Sequence, residues 1–121
     1  MTDQLSSPPI LLVAGHWLGA WAWDDVLAHL SPDARVTAVT LPGLDAGDPE
    51  RATRTLDDQA LAIRDALESL GASTDGPAIV VAHSGANGPV SIVLDRHPEL
   101  VRRVIWVDSG PMASGSAFAP E

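Results

Sequence analysis

The chain contains no cysteine and no lysine, and none of its apolar runs approaches the roughly 18 residues that a membrane span requires. Without cysteine, neither a disulfide framework nor a thiolate metal site can form, and a cytoplasmic setting fits. Basic residues are scarce as well, with 7 arginines against 16 acidic side chains and a formal net charge of -9. That balance excludes the electrostatic footprint of a nucleic-acid or anionic-membrane binder and fits a solvated surface. The opening residues Met1-Thr2-Asp3-Gln4-Leu5-Ser6-Ser7-Pro8-Pro9 have no basic stretch followed by an apolar one. They read as a short tail over 1–9 and not as a signal peptide.

What is present is alternation. Ile10-Leu11-Leu12-Val13-Ala14 is continuously apolar, which predicts a strand buried on both faces. A glycine-bearing loop follows, then a helix over about 21–30 with Trp23, Val26, Leu27 and Leu30 on one face and Pro32 as its stop. Arg35 to Leu41 predicts a second strand, and Pro42 to Pro49 can only be loop. Thr55 to Leu70 is the clearest helix: Thr55 and Asp58 have box-like cap spacing, Leu56, Ala60, Ile63, Leu67 and Leu70 share a face, and Gly71 supplies a left-handed stop. A third strand over 77–83, a helix carrying Val90, Val93 and Leu94 inward, and a strand over 103–108 complete the series. Pro89 allows two arrangements: a regular helix starting near Gly88, or a distorted first turn. Strands alternating with helices predict an α/β fold, a parallel sheet with helices on both faces, in one domain spanning 10–111 with a loose end over 112–121. Ligands bind such sheets at the carboxyl ends of the strands, where the winding direction reverses.

The third strand ends in Val80-Val81-Ala82-His83-Ser84-Gly85-Ala86-Asn87. A buried strand entering a helix through a tight turn pushes the apical residue above the sheet, and the positions two removed on either side must be small. Ala82 and Ala86 meet that requirement, Ser84 takes the apex, and the Gly85 N–H falls at the start of the helix, where an oxyanion would form beside the hydroxyl. The bland reading is a serine that caps the next helix.

This stretch resembles the nucleophile elbow of the α/β-hydrolase superfamily, G-x-S-x-G, with alanine at both outer glycines. Ala14-Gly15-His16-Trp17-Leu18-Gly19-Ala20-Trp21 is similar to the loop of the plant methylesterase and hydroxynitrile lyase branch, and Leu41-Pro42-Gly43 resembles the tripeptide after the next strand there. Three such features in order resemble the N-terminal half of the catalytic domain, a partial fold lacking the lid and C-terminal strands. The resemblance implies Ser84 as nucleophile, the N–H groups of His16 and Gly85 as oxyanion hole, and Trp17 at the substrate pocket. It implies a small ester-like substrate, an acyl-enzyme on Ser84, and no metal or other cofactor. Ala14 departs from the family, which usually carries histidine there.

Asp108, ending the last strand, is placed like the acid in members that carry it there; the alternative is that it caps the turn Ser109-Gly110-Pro111. In the superfamily the general-base histidine follows the last strand of the sheet, and His29, His83 and His97 read as structural or surface residues. Catalysis by these 121 residues alone is therefore expected to be weak or nil. The 103–108 strand is expected to present an apolar edge including Trp106, open to self-association or a complementing chain. From this edge comes the competing functional reading, a non-catalytic half-domain acting as a subunit or binding module.

Overall fold

The computed structural model describes residues 7–113. Four strands, β1 (Ile10–Val13), β2 (Val36–Val39), β3 (Ala78–His83) and β4 (Val101–Val107), form one parallel sheet in the order β2-β1-β3-β4. Three α-helices intervene: α1 (Asp24–His29), α2 (Leu56–Leu70) and α3 (Asn87–Arg96). β1 is central, with Ile10 opposite both Val36 and Ile79. The winding therefore reverses between β1 and β3, and the loops leaving those two strands share one end of the sheet.

Alternation along the strands builds two cores. Leu11, Val13, Val80 and Ala82 pack with Ala60, Ile63 and Leu67 of α2 and Val90 and Val93 of α3. On the opposite face Leu12 and Ala14 pack with Trp23, joined by Leu18 and Leu27. Burial of each large side chain contributes about 1.5–3 kcal/mol, so helices on both faces follow from the central strands β1, apolar throughout, and β3, apolar up to His83.

The expected caps of α2 are present. Thr55 accepts from the Asp58 N–H while Asp58 accepts from the Thr55 N–H, and Gly71 closes the helix at φ 100°. The first helical segment divides into a 3-10 turn (Ala20–Trp23) and α1, and its face is only partly covered: Trp23 is buried but Val26 is 40% exposed. Beyond it lies a recess shared with Val107 of β4, which is itself 37% exposed. β4 begins two residues earlier than 103, because Ala78 pairs with Val101 before the register shifts. Among the described residues it has a neighbour on one side only, and Ile105 and Val107 are 45% and 37% exposed.

At the amino end, Pro9 is already buried and its carbonyl accepts the Ile79 N–H, so the last residues of the expected tail belong to the fold. Of the end expected to be loose, Met112 and Ala113 are described, and Met112 donates its N–H to Ser91 Oγ at 3.2 Å. Residues 114–121 lie outside the described ones.

Candidate active site

β3 delivers Ser84 at the carboxyl end of the sheet. Ser84 has φ 50°, in the left-handed region that a residue with a Cβ adopts only under constraint. The constraint is visible on three sides. Ala82 and Ala86 are fully buried. Gly15, leaving β1, lies so close that a Cβ there would come within 2.7 Å of the His83 carbonyl oxygen and 2.9 Å of Ser84 Cβ. The Ser84 carbonyl accepts both the Asn87 N–H and the Ser109 hydroxyl, the latter at 2.9 Å. Pro89 is accommodated by features of both arrangements: residues 84–86 form a 3-10 turn, and the regular helix α3 begins at Asn87, beside Gly88, with Pro89 in its first turn though not at its first position.

The β1 loop crosses directly over this elbow. The His16 imidazole rests on Gly85, where an added Cβ would meet three ring atoms at 2.6–2.7 Å. Gly85 stands in the first turn of a helix, where N–H groups have no intrahelical acceptor. The loop itself turns through a Leu18 N–H to Gly15 carbonyl hydrogen bond. It is braced from β2 by Thr40, whose Oγ1 accepts the Ala20 N–H at 2.8 Å and stands where a Cβ on Gly19 would fall. Trp17 lies at φ 66° and 87% exposed, its ring edge-on to His16 at 5.7 Å. It projects from the loop into solvent.

Asp108 also lies in the left-handed region, at φ 54°, which aspartate tolerates better than most residues. Its carboxylate is exposed and accepts no hydrogen bond among the described residues. The turn after β4 is held instead by Ser109 on Ser84 and by Asn87, whose Nδ2 donates to the Gly110 carbonyl at 3.0 Å. Asn87 is buried, and its Oδ1 has no partner among the described residues.

The other histidines are accounted for individually. His83 points to the α1 face, edge-on to Trp23 at 6.4 Å. With Ala14, Leu18, Ala22, Val26 and Val107 these two rings line an apolar recess of about 220 Å³. His29 ends α1 on the surface, and His97 Nδ1 stands 3.7 Å from Glu99 Oε2. In the loop after β2, Arg54 holds Asp48 through Nε and Nη2, and Asp45 accepts the Gly47 N–H. The Arg54 hydrogen bonds, with the Glu50 N–H, hold the Asp48 carboxyl below its usual range. No group of three or more metal-ligating side chains is present among the described residues, and none of their helices is long and apolar enough to cross a membrane.

Thr40, Asn87 and Ser109 are the site residues that the sequence reading missed. Thr40 carried a signal, since it directly precedes Leu41-Pro42-Gly43 at a strand end, whereas Ser109 and Asn87 are distant in sequence and join only through the crossover to β4.

The parallel sheet, the glycine-bearing loop after β1 and the strained serine after β3 define a recognisable class. The description "Alpha/beta hydrolase family" matches residues 10–121, and the chain belongs to this family. It is 27% identical over 118 residues to the putative methylesterase 14, chloroplastic, of Arabidopsis thaliana, covering 94% of this chain and 33% of that protein. Among solved structures, a variant of PytH superposes with a TM-score of 0.77 at 22% identity, over 92% of this chain and 43% of the other. E-2-(acetamidomethylene)succinate hydrolase gives 0.70 at 24% identity, over 88% and 38%. The chain thus spans about a third of the methylesterase relative's length, and the sheet corresponds to part of the family's full fold.

Proposed function

We propose that Ser84 is the nucleophile of a serine hydrolase acting on carboxylic esters. The observation that carries this reading is the left-handed backbone of Ser84, φ 50°, at the end of a central strand. A capping serine needs no such strain, because an N-cap adopts ordinary extended geometry. The similarity to a methylesterase supports esters as the substrate class.

In this reading Ser84 Oγ attacks the ester carbonyl carbon, and the tetrahedral oxyanion takes hydrogen bonds from the Gly85 and His16 N–H groups. Loss of one such donor costs about 2.7–4 kcal/mol of transition-state stabilisation. Collapse expels the alcohol, leaving an acyl group on Ser84 that water then removes. Asp108 supplies the acid that would orient a general-base histidine. His29, His83 and His97 are engaged elsewhere, so none of these three is the base in this reading, and turnover by this chain alone is expected to be low. The substrate enters beside Trp17.

The test is intact-mass analysis after prolonged exposure of the folded chain to a fluorophosphonate, with Ser84→Ala alongside. Slow modification confined to Ser84 is the expected result. Modification that survives Ser84→Ala, or a folded chain that resists the reagent, overturns the assignment. The exposure of Ile105 and Val107 favours a second reading, a binding module or subunit covered along β4 by another chain; a discrete complex by sedimentation, together with an inert Ser84, would support it.

A further inference from the structure

The segment leaving β4 is tied to the elbow helix at three successive points. Ser109 Oγ donates to the Ser84 carbonyl at 2.9 Å, Asn87 Nδ2 donates to the Gly110 carbonyl at 3.0 Å, and the Met112 N–H donates to Ser91 Oγ at 3.2 Å. Asn87 and Ser91 are spaced i, i+4 and share one face of α3, and Ser84 stands in the turn that leads into it. The segment over 109–112 lies along that face as a strap. Its first tie differs from the other two, because it ends on the backbone of the strained residue itself.

We propose that Ser109 is a positioning residue for Ser84, its hydroxyl locking the Ser84 peptide in the left-handed conformation that raises Oγ above the sheet. The Ser84 carbonyl already accepts the Asn87 N–H, and rotation of Ser84 toward ordinary helical or extended backbone would swing that carbonyl away from both donors. A residue in a sparsely populated region stays there only while its surroundings over-determine it. Gly15 fixes the Cβ side of the elbow by close packing, and Ser109 fixes the carbonyl side by a directed hydrogen bond. Asp108, one residue earlier at φ 54°, is carried by the same strap. The placement of the nucleophile and that of the proposed acid are thus set by one local structure. This inference deepens the reading of Ser84 as nucleophile and rests on it for its catalytic meaning.

The experiment is NMR on the wild-type chain, Ser109→Ala, Ser109→Thr and Ser91→Ala, following the Ser84 carbon shifts and the exchange of the Asn87 amide. Ser109→Ala should move the Ser84 Cα and Cβ shifts toward ordinary backbone values and accelerate Asn87 exchange by about tenfold, with amides in the middle of α2 unaffected. Ser109→Thr, which keeps the hydroxyl, should restore both, and Ser91→Ala, which cuts only the distal tie, should leave Ser84 unchanged. Unchanged Ser84 shifts in Ser109→Ala overturn the proposal, as does a uniform loss of protection across the chain with Ser84 unmoved. If Ser109→Ala does not fold, the wild type decides: a Ser109 hydroxyl proton slow enough to be observed is expected, and its absence overturns the proposal. Failure of the nucleophile reading is registered separately, since a wild-type chain inert to fluorophosphonate that still shows these shifts retains the lock and loses only the chemistry.

Discussion

The imidazole of His16 and the Cα of Gly85 are in direct contact, three ring atoms standing 2.6–2.7 Å from where a Cβ on residue 85 would be. The two residues proposed to form the oxyanion hole therefore fix each other's position. Gly85→Ala should displace the His16 ring and cost about 1–3 kcal/mol as overpacking. His16→Ala in the same chain should relieve most of that cost, so a double-mutant cycle by denaturant unfolding is expected to give a large coupling. Additive effects would show that the contact is not under compression.

Gly15 provides a sharper contrast. An added Cβ there meets the His83 carbonyl oxygen and Ser84 Cβ, atoms of the elbow that cannot swing aside as a ring can. Gly15→Ala should therefore be the more damaging of the two glycine substitutions, about 3 kcal/mol or more. Thermal unfolding of both variants orders them.

Strain at Ser84 has a sign that stability measurements can read. Glycine occupies the left-handed region without the Cβ penalty, so Ser84→Gly should be more stable than Ser84→Ala by about 1 kcal/mol. Equal stability of the two variants would mean that the turn is relaxed.

The Asp48 carboxyl is held below its ordinary value of 3.8, first by the Arg54 hydrogen bonds and then by the Glu50 N–H. A lowered folded-state value favours the native state above the unfolded value, and the contribution disappears as pH falls through the folded value. Asp48 carboxyl shifts followed by NMR should titrate below 3.8, and Arg54→Ala should return them upward. The pair lies at the surface, so the effect on overall stability is small.

Among the described residues β4 presents an unpaired edge, with Ile105 and Val107 exposed. Unpaired edges of this kind are templates for association unless charge blunts them. Ile105→Lys should shift any self-association seen by sedimentation toward monomer at equal concentration, whereas a substitution at the exposed Asp33 should not.

The alternation of apolar runs and amphipathic segments made the sheet and its crossovers legible, because β1 and β3 are bounded by residues that interrupt a strand, Pro8-Pro9 and Gly15 around β1, Pro77 and the Ser84 turn around β3; β2, without such bounds, is shorter than the 35–41 expected, over Val36–Val39. The α2 caps were readable for the same reason, since Thr55, Asp58 and Gly71 act within a few residues of themselves. The start of β4 was not, because Val101 and Arg102 join the strand through pairing with β3 and not through any local preference. The strained turn at Ser84 was readable from its small neighbours and its place after an apolar run. The residues that brace the site act through single hydrogen bonds, Thr40 on the β1 loop at Ala20, Asn87 on Gly110 and Ser109 on the Ser84 carbonyl, and such contacts leave no periodic trace in a sequence.

The four tryptophans, in a chain with no tyrosine, divide the molecule optically. Trp23 is buried between α1 and the sheet and Trp106 is half-covered on β4, while Trp17 and Trp21 stand 87% and 63% exposed. Unfolding will register in emission mainly through Trp23 and Trp106, which move from apolar surroundings into water. Trp17 is already wet in the folded chain, so its quenching or blue shift on addition of an ester analogue would report contact at the loop without interference from the folding transition. The loop that the proposed mechanism places over the nucleophile thus carries its own fluorescent reporter.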